Sequence, residues 1–187
     1  MGIDQILPHL WISDRKAASN KRVLGKYEIA EILTVCLDPI SWTKQYGHIR
    51  YHHIALDDEP MENILTRLEE LLSILEEAIS SNRSILVHCE AGISRSAAVC
   101  CAYVMRRNSC STKEALNHVR SSHWQCHPNE GFIKQLEIFE KLLWKADEKT
   151  LEASENYGKW LTANGKTRQN GRIKGEANKN QRDGDDA

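Results

Sequence analysis

Apolar positions along this chain alternate between short continuous runs and longer stripes with helical spacing, and their order predicts an α/β domain. Ile6-Leu7 and Leu10-Trp11-Ile12 are two short extended pieces interrupted at Pro8. Ser13 or Asp14 can cap a helix over about 15–25 that ends near Gly25. Ile29 to Leu37 is a strand candidate stopped by Asp38-Pro39, and Ile49 to Leu56 is another. Pro60 suits the first turn of a helix over about 61–80. Ile64, Leu65, Leu68, Leu71, Leu72, Leu75 and Ile79 form one wide stripe along it. That period is too short for a coiled coil, so the stripe is assigned to a core.

The second half repeats the alternation. Ile85-Leu86-Val87 reads as a buried strand, followed by a small-residue turn and a helix over about 95–107. Ser111-Thr112-Lys113-Glu114 is a capping box opening a helix through about 121. Phe132, Leu136, Phe139 and Leu143 mark the last helix, with Asn129 as a natural cap. The fold class predicted is α/β, a central mixed sheet flanked by helices over residues 1–147. Past Asp147 large apolar residues thin out, so 148–187 is expected to be a disordered tail, with Tyr157, Trp160 and Leu161 as a short anchoring turn. Lys166, Arg168, Arg172, Lys174, Lys179 and Arg182 make that tail basic, a solvated stretch or a targeting or docking signal.

Composition narrows the function classes. The 187 residues are 41% apolar and 27% charged with net charge −1, so nothing electrostatic favours nucleic acid as a partner. No apolar run approaches the roughly 18 residues of a membrane span, so no membrane partner is expected. Cysteines 36, 89, 100, 101, 110 and 126 contain no CxxC pair, which predicts reduced thiols and a cytoplasmic or nuclear protein. His118, His123, Cys126 and His127 fit no common zinc spacing.

The chemistry concentrates in His88-Cys89-Glu90-Ala91-Gly92-Ile93-Ser94-Arg95-Ser96. A strand feeding a tight turn and then a helix points the amides of Glu90, Ala91, Gly92, Ile93, Ser94 and Arg95 at a common anion site and favours thiolate at Cys89. Arg95 adds a planar charged fork suited to two phosphate oxygens. Gly92 lets the loop curl, Ser96 can hydrogen-bond the Cys89 sulfur, and His88 can brace the loop through backbone carbonyls. The alternative is a buried packing cysteine at a strand end.

HCEAGISRSAAVCCAYVM resembles the Cys-x5-Arg signature of the protein tyrosine phosphatase superfamily, in the form of its dual-specificity branch. ILPHLWISDRKAASNKRVLGKYEIAEILTV is similar to the opening of such domains, so the resemblance covers about 140 residues. It implies a phosphatase that forms a phosphocysteine and needs no metal or other cofactor. Phosphorylated proteins, kinases among the candidates, would be its partners, and nothing fixes its oligomeric state. It also implies a general acid about thirty residues before the cysteine. Asp58, two before Pro60, matches that position better than Asp57, which is expected with Glu59 to complement a helix dipole. Asn129, in Pro128-Asn129-Glu130-Gly131-Phe132, is implied as a brace of the phosphate loop. Arg120 and His123 are candidates for a basic rim. Competing functions are hydrolysis of a phosphoinositide or RNA 5′-triphosphate, a non-catalytic phosphoprotein-binding module, and a rhodanese-like sulfur carrier.

Overall fold

The computed structural model describes residues 2–165, 167–169 and 172–174. β1 (Ile3–Leu7) and β2 (Leu10–Asp14) pair antiparallel across a turn at Pro8, where His9 takes φ 66°. Asp14 then caps a helix, its Oδ1 accepting from Ala17 N at 2.7 Å. The single helix expected over 15–25 is two, α1 (Arg15–Ala18) and α2 (Lys21–Lys26). Asn20 makes the break, because its Oδ1 accepts from the amides of Arg22 and Val23 and so begins a new helix inside the expected span.

β3 (Glu31–Thr34) and β4 (Arg50–His53) are shorter than the apolar runs that announce them. Then come α3 (Leu65–Ser80), β5 (Ile85–Cys89), α4 (Arg95–Asn108), α5 (Thr112–Ser122) and α6 (Glu130–Lys141). The capping box closes as expected, Ser111 and Glu114 each bonding the other's backbone. Strand order in the sheet is β1-β2-β5-β3-β4, mixed because only β1 runs against its neighbour. β5 is therefore central, and Cys89 at its carboxyl end lies opposite Asp14 of β2.

Alternation along the strands sorts side chains into two layers. Leu10, Ile12, Leu33, Ile85, Val87 and Cys89 join the main core against the helices α3 to α6, while Ile32 and Leu86 face Leu24, Ile29, Ile40 and Ile49 on the other side.

α3 starts at Leu65, and Pro60 lies outside it. Gln135 of α6 explains the late start. Its Oε1 accepts from Ile64 N at 2.9 Å and Leu65 N at 3.3 Å, and its Nε2 donates to Glu62 O at 2.8 Å. A buried side chain 70 residues away thus does the work of a helix cap.

The expectation of a tail from 148 is corrected by α7 (Glu148–Ala153) and α8 (Glu155–Ala163), capped by Asp147 and Ser154. Tyr157, Trp160 and Leu161 are buried in the main core, and Asn63 Nδ2 donates to the Tyr157 hydroxyl at 2.7 Å. The anchoring turn expected at these three residues is a full helix, with the three large apolar side chains at i, i+3 and i+4 on one face. The side chains of the basic stretch 166–182 lie outside the described residues; the backbones of β6 (Thr167–Gln169) and β7 (Arg172–Lys174) pair antiparallel.

His88 is fully buried on β5. Its Nδ1 lies 3.2 Å from Cys89 O and its Nε2 lies 2.8 Å from Thr34 Oγ1 on β3. Burial lowers its pKa from 6.5 to about 4, so the ring is neutral at pH 7. A neutral ring satisfies both contacts when Nδ1–H donates to the carbonyl and Nε2 accepts from the hydroxyl.

Two outcomes follow from these buried polar groups. Gln135→Leu orphans the first amides of α3 and should lower stability by about 3 kcal/mol in urea denaturation, with the slope of the transition unchanged. His88 binds a proton more readily unfolded than folded, so its contribution is complete above about pH 6.5 and is lost as pH falls toward 4, worth about 3 kcal/mol over that window. Denaturation at about pH 7 and pH 5 should show wild type losing more stability on acidification than His88→Asn; equal losses would remove His88 from the acid sensitivity.

Candidate active site

Residues 90–94 turn the chain from β5 into α4, and four of their five carbonyls are held from outside the turn. Arg15 N donates to Glu90 O at 3.2 Å, His127 N to Ile93 O at 2.9 Å and Ala98 N to Ser94 O at 2.8 Å. His123 Nε2 meets Gly92 O at 2.7 Å. With the carbonyls turned outward, the amides turn inward. Gly92 has φ +71°, and a Cβ there would come within 2.7 Å of Ser13 O, so the turn can close against β2 only with glycine.

The Cys89 sulfur is enclosed by this loop. Gly92 N–H donates to Sγ at 3.2 Å, and Ser96 Oγ lies 3.2 Å away on the other side. α4 has no side-chain cap, and its first internal bond is the one from Ala98 N to Ser94 O. The amides of residues 95–97 therefore have no partner inside the helix. Arg95 Nη1 donates to Leu56 O at 3.1 Å, which anchors the guanidinium. Its Nε is buried without a hydrogen-bond acceptor, and although Asp58 Oδ2 is 3.5 Å away the pair lacks hydrogen-bond geometry. A phosphate oxygen is the acceptor such a donor fits.

Asp58 faces the same loop. Its Oδ1 accepts from Ser94 Oγ at 2.5 Å and from Asn129 Nδ2 at 3.0 Å, leaving Oδ2 toward Arg95. Asp57 instead accepts from the backbone amide of Asp58 at 2.8 Å, so only the second carboxylate of the pair reaches the loop. Asn129 both caps α6, through Phe132 N, and ties the acid to the loop, its own amide donating to Ser94 Oγ at 3.1 Å. The loop brace expected at Asn129 therefore acts through Asp58 and Ser94. Gly131 fixes the acidic segment from behind, since a Cβ there would come within 1.8 Å of Pro60 O.

The structure corrects the expected basic rim. His123 is buried between Gly92 O and Asp4 Oδ2 and so supports the loop, while half-buried Arg120 donates through Nε to Cys126 O in the segment after α5. Glu90 is exposed and pairs with Arg15 at 2.5 Å. Arg15, His123 and Gly131 are supporting residues that pattern reading did not assign, because each acts through a partner distant in sequence; Gly131 stood inside a quoted motif without a role.

All six cysteines are free. Burial pushes the Cys36 and Cys100 thiols up, and Cys101 is raised by its hydrogen bond to Cys126 and by burial, which makes these three packing thiols at neutral pH. Among the described residues no three His, Cys, Asp or Glu side chains converge as a metal site requires, and no helix is long and apolar enough to cross a membrane.

Comparison with known proteins gives the same site a family. Residues 10–142 match the dual specificity phosphatase catalytic domain. The chain is 37% identical over 139 residues to human Dual specificity protein phosphatase 7, covering 74% of this chain and 33% of that protein. It is 34% identical over 141 residues to Dual specificity protein phosphatase 1 of Arabidopsis thaliana, covering 74% and 69%. The crystal structure of human DUSP28 superposes with TM-score 0.71 at 28% identity, covering 78% of this chain and 97% of that one. Several curated relatives are much longer, and the match spans only 21–36% of their length. With a family match over most of its length and the same architecture in a solved relative, this chain belongs to the dual specificity phosphatase catalytic-domain family.

Proposed function

We propose that the chain is a metal-independent, cysteine-dependent protein phosphatase acting on phosphotyrosine and on phosphoserine and phosphothreonine. The observation that carries this reading is the convergence on one loop of inward amides of the Cys89 sulfur, the Arg95 guanidinium and the Asp58 carboxyl group. A sulfur carrier would have no use for the acid, and a binding module would have no use for the nucleophile.

In the first half-reaction Cys89 attacks phosphorus in line, forming the S–P bond as the P–O bond to the substrate breaks. Asp58, through the oxygen not held by Ser94 and Asn129, gives its proton to the departing oxygen. The amides of residues 90–95 and the Arg95 fork meet the charge on the three equatorial oxygens, which is the service a metal ion performs in other phosphoryl-transfer sites. In the second half-reaction Asp58 takes a proton from water as that water attacks phosphorus. The S–P bond breaks, with the Ser96 hydroxyl placed to stabilise the departing sulfur.

Breadth toward both kinds of phosphoresidue is supported by the relatives named as dual specificity phosphatases. Phosphorylated proteins are the partners this chemistry calls for. We place the protein in the cytoplasm or nucleus because a nucleophilic thiol must stay reduced.

With a phosphopeptide as substrate, Cys89→Ser should abolish turnover, and phosphate label trapped on wild type after acid quench should be missing from the variant. Asp58→Ala should lose 10²–10⁴ in kcat while still retaining phosphopeptide, the range general acid catalysis supplies. Asp57→Ala should remain within about threefold of wild type. A crippled Asp57→Ala beside an active Asp58→Ala would reverse the acid assignment.

A further inference from the structure

We infer that a lysine-lined cleft beside the phosphate loop binds an acidic segment of the phosphoprotein substrate and so sets its sequence preference; this rests on the phosphatase reading above. The cleft measures about 630 Å³, and Arg15, Lys16, Lys21, Lys44, Tyr46 and Glu90 are among the residues lining it. Glu90 directly follows Cys89, so whatever occupies the cleft lies next to the phosphorylated residue in the catalytic loop.

The charges in the cleft do not cancel. Its carboxylates are engaged: Arg15 pairs with Glu90, and Asp14 Oδ1 accepts from Ala17 N. Arg15 is engaged too, since its two Nη groups donate to Asp38 O at 2.6 Å and Pro39 O at 3.0 Å. Lys16, Lys21 and Lys44 remain, and among the described residues none of them has a carboxylate within ion-pair distance. Four cations against two carboxylates, a net charge of +2, thus gather in one concavity of a chain whose net charge is −1. They come from α1, from α2 and from the single 3-10 turn Trp42–Lys44.

The walls are held in place. Tyr46 N–H donates to the Tyr51 hydroxyl at 3.0 Å and the Tyr46 hydroxyl donates to Ser19 O at 3.3 Å, which ties the segment after the 3-10 turn to the break between α1 and α2. Lys21 Nζ lies 5.8 Å from the centre of the Tyr46 ring. Cations spread over three elements suit several anionic groups along an extended peptide better than one ion. Carboxylates of Asp and Glu, or the phosphate of a second modified residue, would satisfy the same chemistry.

The test uses the full chain and the triple variant Lys16→Gln, Lys21→Gln, Lys44→Gln, all exposed positions, with thermal unfolding checked against wild type. Peptides carry one phosphorylated residue and a flank, before or after it, of glutamates, of glutamines, or with a second phosphorylated residue; p-nitrophenyl phosphate reports the loop alone. Wild type should prefer one acidic-flanked peptide over its glutamine counterpart. The triple variant should lose about tenfold in kcat/KM on that peptide through KM, with kcat and p-nitrophenyl phosphate hydrolysis unchanged and the preference gone. Whichever anionic flank gives the larger lysine-dependent gain identifies the occupant. Indifference of wild type to every acidic flank, or a preference that survives the triple substitution, would overturn the cleft. Wild type that hydrolyses p-nitrophenyl phosphate but no peptide would instead overturn the protein-substrate reading beneath it.

Discussion

The constraint on which this structure depends is the outward fixing of the loop carbonyls after Cys89. A turn of five residues has no reason of its own to aim all its amides one way, since isolated peptide units gain nothing by crowding like dipoles. Here donors from four places pull on the opposite ends of those units: Arg15 from α1, His123 from the end of α5, His127 from the segment before α6 and Ala98 from α4. Each such bond is worth only about 0.5–1.5 kcal/mol net. Together they keep the amides facing one point without help from a bound anion, so little reorganisation is left for the moment when charge develops on phosphorus.

The same short strap between α5 and α6 controls the acid. His123 and His127 hold the loop, and two residues later Asn129 holds Asp58. Gly131 then presses against Pro60, and Gln135 takes the first amides of α3. The phosphate loop and Asp58 therefore share supports from one element.

What could be read in the sequence was local or periodic. The strand before Cys89, the capping box at Ser111, the stripe of α3 and the Cys-x5-Arg loop all depend on neighbours within a turn or two, and the structure reproduces them. The family resemblance points to Asp58, two before Pro60, rather than to Asp57, and the structure brings the Asp58 carboxyl group to the loop. Hidden from pattern reading were residues whose partners are far away, such as Arg15 for Glu90, His123 for Gly92 and Gln135 for Ile64. α8 is longer than the anchoring turn expected at Tyr157, Trp160 and Leu161, because the polar composition of the whole segment outweighs the three apolar residues that dock it.

The helix starts show where local rules gave way to function. Six of the eight α-helices among the described residues begin with a side-chain cap from their own N-cap residue, namely Asp14, Asn20, Ser111, Asn129, Asp147 and Ser154. The two that do not are α3 and α4. α4 has a serine at its N-cap, a residue well able to cap, yet Ser94 Oγ donates to Asp58 and accepts from Asn129. Had that hydroxyl turned to cap its own helix, Asp58 would have lost the bond that ties it to the loop. α3 follows the acidic segment directly, and its missing cap is supplied by Gln135 from the element that positions Asp58. The uncapped starts are thus the places where a side chain from, or committed to, another element replaces the local cap, a pattern expected where local preference and the needs of a site conflict.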